Sequence, residues 1–170
     1  MINLIIKNIF RFLILVAIQV LILNNIQYSG FVVPFIFILF ILLLPFQTPV
    51  WAVLILSFLL GATVDILSDT IGLNIAASVL MGFLRYYVLK VLSPREGYEA
   101  GAQPSLKFFG ISWFLRYSVP LVLAHHFFLF YLETFSFSEF FSTFFRVIVS
   151  SIFTVGVILL SQYIVNKGKV

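Results

Sequence analysis

Long apolar runs separated by short polar breaks dominate the chain. The runs approach the ~20 predominantly apolar residues that an α-helix needs to cross about 30 Å of hydrocarbon. They are continuously apolar and lack the two-residue alternation of a barrel strand, so the pattern predicts helices. We predict six membrane-spanning helices, at residues 8–24, 29–45, 50–67, 73–92, 108–132 and 144–165.

The breaks between these runs are short, which favours one compact bundle. Residues 45–49 read Pro-Phe-Gln-Thr-Pro, a turn sequence, so the second and third spans are expected to form a tight antiparallel hairpin. The longest polar stretch, residues 93–107, is too short to fold as a separate domain. We therefore predict a single all-α transmembrane domain over residues 1–170.

Composition excludes the soluble, disordered and fibrous classes. Hydrophobic residues make up 62% of the 170 positions and charged residues only 9%, with a mean hydropathy of +1.18. A soluble domain carries roughly a quarter charged residues. The ten Lys and Arg and six Asp and Glu residues are too few to cover a soluble surface. The chain has no cysteine, which rules out disulfides and thiolate metal sites.

The net charge of +4 indicates orientation in a membrane rather than affinity for nucleic acid, because the basic residues form no continuous stripe. The loops predicted at residues 24–30, 68–72 and 133–141 contain no Lys or Arg. Both chain ends are therefore expected in the cytoplasm. The basic residues on that side are Lys7, Arg11, Lys90, Arg95, Lys107, Lys167 and Lys169.

Asp65 is an ionisable residue within a predicted span. Burying such a group in a bilayer is costly, so its presence there indicates a function. Gly61, Asp65 and Asp69 recur at four-residue spacing and are expected to share a helix face. Two interpretations stay open. Asp65 caps or hydrogen-bonds the neighbouring helix and ends the span before Gly72, or it forms an ion or proton site.

Arg85 and Arg116 fall at similar depth in the inner half of the fourth and fifth spans. We expect both side chains to snorkel toward cytoplasmic phosphate headgroups and so to contact membrane lipids. The alternative is that they bind an anion or a partner protein from the inner face.

His125 and His126 lie near the outer end of the fifth span. Adjacent helix positions point about 100° apart and no third ligand follows, so an interfacial polar role is favoured over a metal site. The sequence also contains no phosphate-binding loop, nucleophile elbow or close carboxylate pair. We predict no catalytic residue, metal or cofactor, and hence no enzyme.

The segment from Gly61 to Asn74 resembles the rod shape-determining protein MreD family. That family has a G-x-x-x-D stretch that ends one span and a short loop with a glycine that opens the next. Here Gly61-Ala-Thr-Val-Asp65 is followed by Gly72-Leu-Asn74 in a small, basic, six-span chain. We take Gly61, Asp65, Asp69, Gly72 and Asn74 as candidates for structural or partner contacts.

The resemblance implies a non-enzymatic, multi-pass subunit of the cell inner membrane that belongs to the bacterial cell-elongation machinery. It would bind the single-span protein MreC. Through MreC it would link MreB to peptidoglycan synthesis by RodA and a penicillin-binding protein, and so maintain cell shape. The family's fold is similar to the substrate-binding subunits of energy-coupling-factor vitamin transporters.

Such a vitamin-capturing subunit is the alternative function. It should show an A-x-x-x-A face on its first span, where this chain has only Ala17. It should also enclose a ligand pocket near its outer face, which short loops with few polar side chains make difficult to build. A third hypothesis is a proton-coupled carrier that uses Asp65 and His125.

Overall fold

The structure is a computed structural model that describes residues 2–25, 33–70, 72–99, 102–135 and 139–167. This part of the chain contains six α-helices and no strand, which confirms the predicted all-α class. The helices are α1 (Ile2–Leu21), α2 (Leu39–Leu42), α3 (Val50–Ser68), α4 (Leu73–Leu92), α5 (Leu106–Thr134) and α6 (Phe140–Lys167). Short 3-10 turns lie at Leu23–Asn25 and Ile36–Ile38.

Five helices, α1 and α3 to α6, are long and apolar enough to cross a membrane. They correspond to five of the six predicted spans, and α4 begins and ends at the predicted residues 73 and 92. The fold is that of a multi-pass α-helical membrane bundle.

The second predicted span, residues 29–45, differs from the expectation. Residues 29–32 lie outside the described part of the chain. The remainder is not one long helix but a 3-10 turn at Ile36–Ile38 followed by the four-residue α2. Pro34 contributes to this break, because proline lacks an N–H and disfavours helical geometry in the residue before it. We call residues 33–44 the central segment.

The central segment lies inside the bundle rather than against lipid. All ten residues from 35 to 44 are buried, at 8% exposure or less. The five long helices pack around it in chain order, with α3 on α4, α4 on α5 and α5 on α6, while α1 packs on α3 and on the segment itself. Non-helical backbone is tolerated at membrane depth only when protein surrounds it, and this packing meets that condition.

The helix ends follow from local sequence. Pro49 precedes α3 in an extended conformation, and the Thr48 N–H donates to the Pro45 carbonyl at 3.2 Å, so the predicted turn at residues 45–49 is present. Gly72 precedes α4 with φ of 74°, a left-handed conformation that glycine adopts without strain. Gly110 (φ 75°, ψ 174°) interrupts α5 near its start.

Candidate functional site

Asp65 caps the start of α4. Its side chain is buried, with the residue 4% exposed. Oδ1 accepts hydrogen bonds from the Asn74 backbone N–H at 3.1 Å and from the Asn74 amide at 2.9 Å, and Oδ2 accepts the Ile75 N–H at 3.0 Å. The Thr70 hydroxyl also donates to Oδ1. A carboxylate at a helix N-terminus satisfies unpaired N–H groups and complements the helix dipole, as the capping interpretation requires.

Gly61 lies one helical turn before Asp65 and makes the approach of α4 possible. A Cβ atom at this position would lie 2.6 Å from the Asn74 backbone oxygen and 2.6 Å from the Ile75 Cα. Only a residue without a side chain fits against that backbone. The four-residue spacing of Gly61 and Asp65 therefore has a physical reason. Gly61 leaves room for the first turn of α4, and Asp65, one turn later on the same face of α3, caps it.

Asp69 does not continue this face, contrary to the expectation from spacing. Helix α3 ends at Ser68, and Asp69 adopts a left-handed conformation with φ of 52° while its N–H donates to the Asp65 carbonyl. Its side chain is exposed. Among the five candidates around this turn, Gly61, Asp65 and Asn74 are brought into contact.

An outer cavity of about 420 Å³ opens beside the turn, at the end of the bundle predicted to face outward. Its polar lining residues are Asn24, Asn25, Ser68, Asp69, Thr70, Asn74, Glu133 and Arg146. A polar cavity is therefore present at the end of the bundle where short loops were expected to make a ligand pocket difficult to build. Helix ends supply much of its polar lining, so long polar loops are not needed.

Two buried polar atoms on the wall of the outer cavity have no hydrogen-bond partner within the described part of the chain. They are Asn74 Oδ1 and Arg146 Nε. Arg146 also pairs through Nη1 with Glu133 Oε2 at 3.0 Å, and its guanidinium lies 4.2 Å from the centre of the Phe130 ring. Both atoms are enclosed, so either one would reach a ligand in the cavity only after a local rearrangement of its side chain.

Arg85 does not snorkel to the lipid headgroups as expected. It is 3% exposed, and its Nε donates to the Tyr117 hydroxyl at 3.0 Å while Nη2 donates to the carbonyls of Leu44 and Pro45. The physical reason is that the central segment ends here with backbone carbonyls that α2 cannot satisfy. Arg116, the other arginine of the predicted pair, is exposed.

Two further side chains hold the same end of the central segment. The Tyr117 hydroxyl donates to the Leu42 carbonyl at 2.9 Å, and Arg11 Nη1 donates to the Leu43 carbonyl at 3.2 Å. Carbonyl oxygens at a helix C-terminus carry partial negative charge, which cationic side chains stabilise. The two arginines and the tyrosine come from three helices, and the sequence shows no pattern that would pair them with these carbonyls.

The opposite end of the central segment is held by side chains of α1 and α6. Gln19 accepts the Ile36 N–H through Oε1 at 2.8 Å and donates through Nε2 to the Pro34 carbonyl at 3.2 Å. Thr154 accepts the Phe35 N–H at 3.0 Å. The sequence analysis did not single out Gln19 or Thr154, although a polar residue inside an apolar run was the available signal.

His126 joins this network, and both histidines are fully buried, so the predicted interfacial position is wrong. His126 Nδ1 lies 2.9 Å from the Val122 carbonyl, which can only accept, and Nε2 lies 3.0 Å from Thr154 Oγ1. This geometry assigns the proton of neutral His126 to Nδ1, with the Thr154 hydroxyl donating to Nε2. His125 packs against the rings of Phe35 and His126, and neither of its ring nitrogens has a hydrogen-bond partner among the described residues.

Chemically, the arrangement offers a helical bundle in which Asp65 and Arg85 hydrogen-bond to neighbouring elements, with a polar cavity at its outer end. The described residues contain no group of three or more metal-binding side chains. No family model matches the chain, and no curated protein or solved structure matches it either.

Proposed function

We propose that this chain is a non-enzymatic assembly subunit of the MreD type in the bacterial inner membrane. It binds MreC and, through MreC, supports the work of MreB, RodA and a penicillin-binding protein in cell elongation. The proposal starts from the resemblance of the segment around Gly61 and Asp65 to that family.

The observation that carries the proposal is that Asp65 and Arg85, the two ionisable groups at membrane depth, are both engaged in hydrogen bonds between helices and loops. Asp65 accepts four hydrogen bonds from the turn and the first residues of α4. Arg85 donates to a buried phenol and to the carbonyls of the central segment. Both groups fix the positions of helices and leave the side chains little capacity for proton transfer. This use favours a binding role over transport or catalysis.

Depletion of the protein in its native bacterium tests the proposal. We expect depleted cells to become round and MreC to be lost from the complex that co-purifies with the other elongation proteins. Depleted cells that keep their shape, with an unchanged amount of MreC in the complex, would refute the assignment.

Complementation of the depleted cells adds a matched pair of variants. Asp65→Asn removes the negative charge at the start of α4 and replaces one of the two acceptor oxygens by an NH2 donor, whereas Asp69→Asn makes the same chemical change at an exposed carboxylate on the same turn. We expect Asp69→Asn to restore cell shape and Asp65→Asn to restore it poorly, with less MreC retained. If both variants restore cell shape equally, the carboxylate of Asp65 is not needed for the assembly function.

The outer cavity favours a second candidate, the substrate-binding subunit of an energy-coupling-factor vitamin transporter. Such a subunit needs an outward pocket with polar groups, and Asn74, Glu133 and Arg146 are among the residues that line this cavity. This candidate predicts vitamin auxotrophy with normal cell shape on depletion, the opposite of the first proposal. The proton-coupled carrier is tested in the same strain, because Asp65→Asn should then abolish uptake.

A further inference from the structure

A second cavity lies at the end of the bundle predicted to face the cytoplasm. We call it the inner cavity; its volume is about 270 Å³, and it lies between the start of α3, the end of α4 and the loop after α4. Its polar lining residues are Thr48, Arg85, Tyr86, Lys90, Ser93 and Tyr98. Because Tyr86, Lys90 and Ser93 are exposed, the cavity is accessible from outside the bundle.

The walls of the inner cavity carry positive charge without a neutralising acid. Arg85 and Lys90 both line it, and no Asp or Glu is among the described residues on its wall. The hydrogen bonds of Arg85 to a phenol and to carbonyls involve neutral partners, so they leave its charge uncompensated. Two cations in a recess with partly buried walls attract an anion.

Arg85 also retains hydrogen-bonding capacity. A guanidinium has five N–H donors, and the hydrogen bonds that Arg85 makes within the described part of the chain use Nε and Nη2. The two N–H groups of Nη1 are left for a ligand. The hydroxyl groups of Thr48 and Ser93 add donors on the same wall. The donor set suits an anion with several oxygen acceptors.

We propose that the inner cavity binds an anionic phosphate group, and that the headgroup of an anionic phospholipid supplies it in the membrane. Basic pockets between transmembrane helices on the cytoplasmic side characteristically bind such headgroups. Lys90 lies in the last turn of α4, where the helix reaches the interface. The stacked rings of Phe46 and Tyr98, 3.9 Å apart, form part of the same wall and belong to the residue types found at that depth.

The proposal separates the two arginines that the sequence places together. Arg85 contributes to the site, whereas Arg116 is exposed and does not line the cavity. Lys90 replaces Arg116 as the second cation. This difference provides a control, because Lys90 and Arg116 are exposed cations on neighbouring helices and only Lys90 lines the cavity.

Native mass spectrometry of the full chain, released from detergent with phosphatidylglycerol, tests the site. Lys90→Gln should lower retention of this lipid about fivefold, which corresponds to the roughly 1 kcal/mol that one cationic side chain contributes at an anionic lipid surface. Ser93→Glu places a negative charge in the cavity and should lower retention at least as much. Arg116→Gln, which removes a cation outside the cavity, should lower retention clearly less than Lys90→Gln does, and none of the variants should change the retention of phosphatidylcholine.

Inorganic phosphate distinguishes the two sources of the group. If millimolar phosphate raises the melting temperature of delipidated wild-type protein but not of Lys90→Gln, the cavity accepts a free phosphate as well as a lipid headgroup. Retention of phosphatidylglycerol that is equal in wild type, Lys90→Gln and Ser93→Glu would overturn the lipid assignment. If the phosphate effect is then also independent of Lys90, the anion site itself is excluded.

Discussion

Substitution of Gly61 by alanine tests the close contact between α3 and α4. The added Cβ would lie 2.6 Å from the Asn74 backbone oxygen and 2.6 Å from the Ile75 Cα. Optimal separations between such atoms are about 3.5–4.0 Å, so the first turn of α4 must move by roughly 1 Å. That movement also lengthens the hydrogen bonds that Asp65 accepts from the same turn, which are 3.1 and 3.0 Å from the two backbone nitrogens.

The magnitude follows from two opposing effects. Alanine favours a helix over glycine by about 0.8–1.0 kcal/mol, which stabilises the variant. Overpacking against backbone that cannot rotate away costs typically about 1–3 kcal/mol. We therefore expect Gly61→Ala to lower the free energy of unfolding by up to about 2 kcal/mol. Gly156→Ala is the control, because a Cβ there meets no atom within 4 Å, and only the helix preference of up to about 1 kcal/mol remains.

Equilibrium denaturation in mixed micelles, followed by the fluorescence of Trp51 and Trp113, measures both variants against wild type. The ordering we expect from least to most stable is Gly61→Ala, wild type, Gly156→Ala. Hydrogen exchange at the Ile75 amide should also be faster in Gly61→Ala, since its bond to Asp65 is weakened. A Gly61→Ala protein as stable as Gly156→Ala would show that the two helices are not in backbone contact.

Three further substitutions test other contacts. Thr154→Val leaves the Phe35 N–H buried and unpaired and should destabilise the protein by about 1–3 kcal/mol in the same denaturation assay. Thr63→Val is the control, because the Thr63 hydroxyl bonds only within its own helix, and it should change the stability little. Tyr117→Phe leaves the buried Leu42 carbonyl without its partner and should lower the free energy of unfolding by a similar amount. Unchanged stability would show that Tyr117 does not help to hold the central segment. Burial raises the pKa of Tyr98 to about 12 from its ordinary value near 10, so the folded state holds this proton more tightly. The stability that the neutral phenol provides should be complete below pH 10 and should disappear as pH rises through 12, and Tyr98→Phe should abolish that alkaline loss.

The sequence predicts the elements that depend on local pattern. The five long apolar runs, the turn at residues 45–49 and the contact between Asp65 and the next helix all follow from length, proline placement or capping chemistry. These features involve residues close together in the chain, where spacing directly limits geometry. The G-x-x-x-D spacing likewise corresponds to one turn of α3 in contact with α4.

Features that depend on distant residues are not predictable in this way. Nothing in the sequence shows that Arg85 reaches backbone carbonyls 40 and 41 residues earlier, because every residue has a carbonyl. The same holds for the outer cavity, which forms only when the ends of several helices meet. The central segment has the composition of a span, and its burial depends on how the remaining helices surround it.

The anchoring of the central segment has a consequence for biogenesis. Thr154, which accepts the Phe35 N–H, follows it by 119 residues, so at roughly 5–20 residues per second a ribosome needs about 6–24 s to make the partner. Gln19, by contrast, precedes the segment and is present from the start. The Phe35 N–H therefore gains its partner only once the last helix has been made, whereas the bond between Ile36 and Gln19 can form earlier in synthesis.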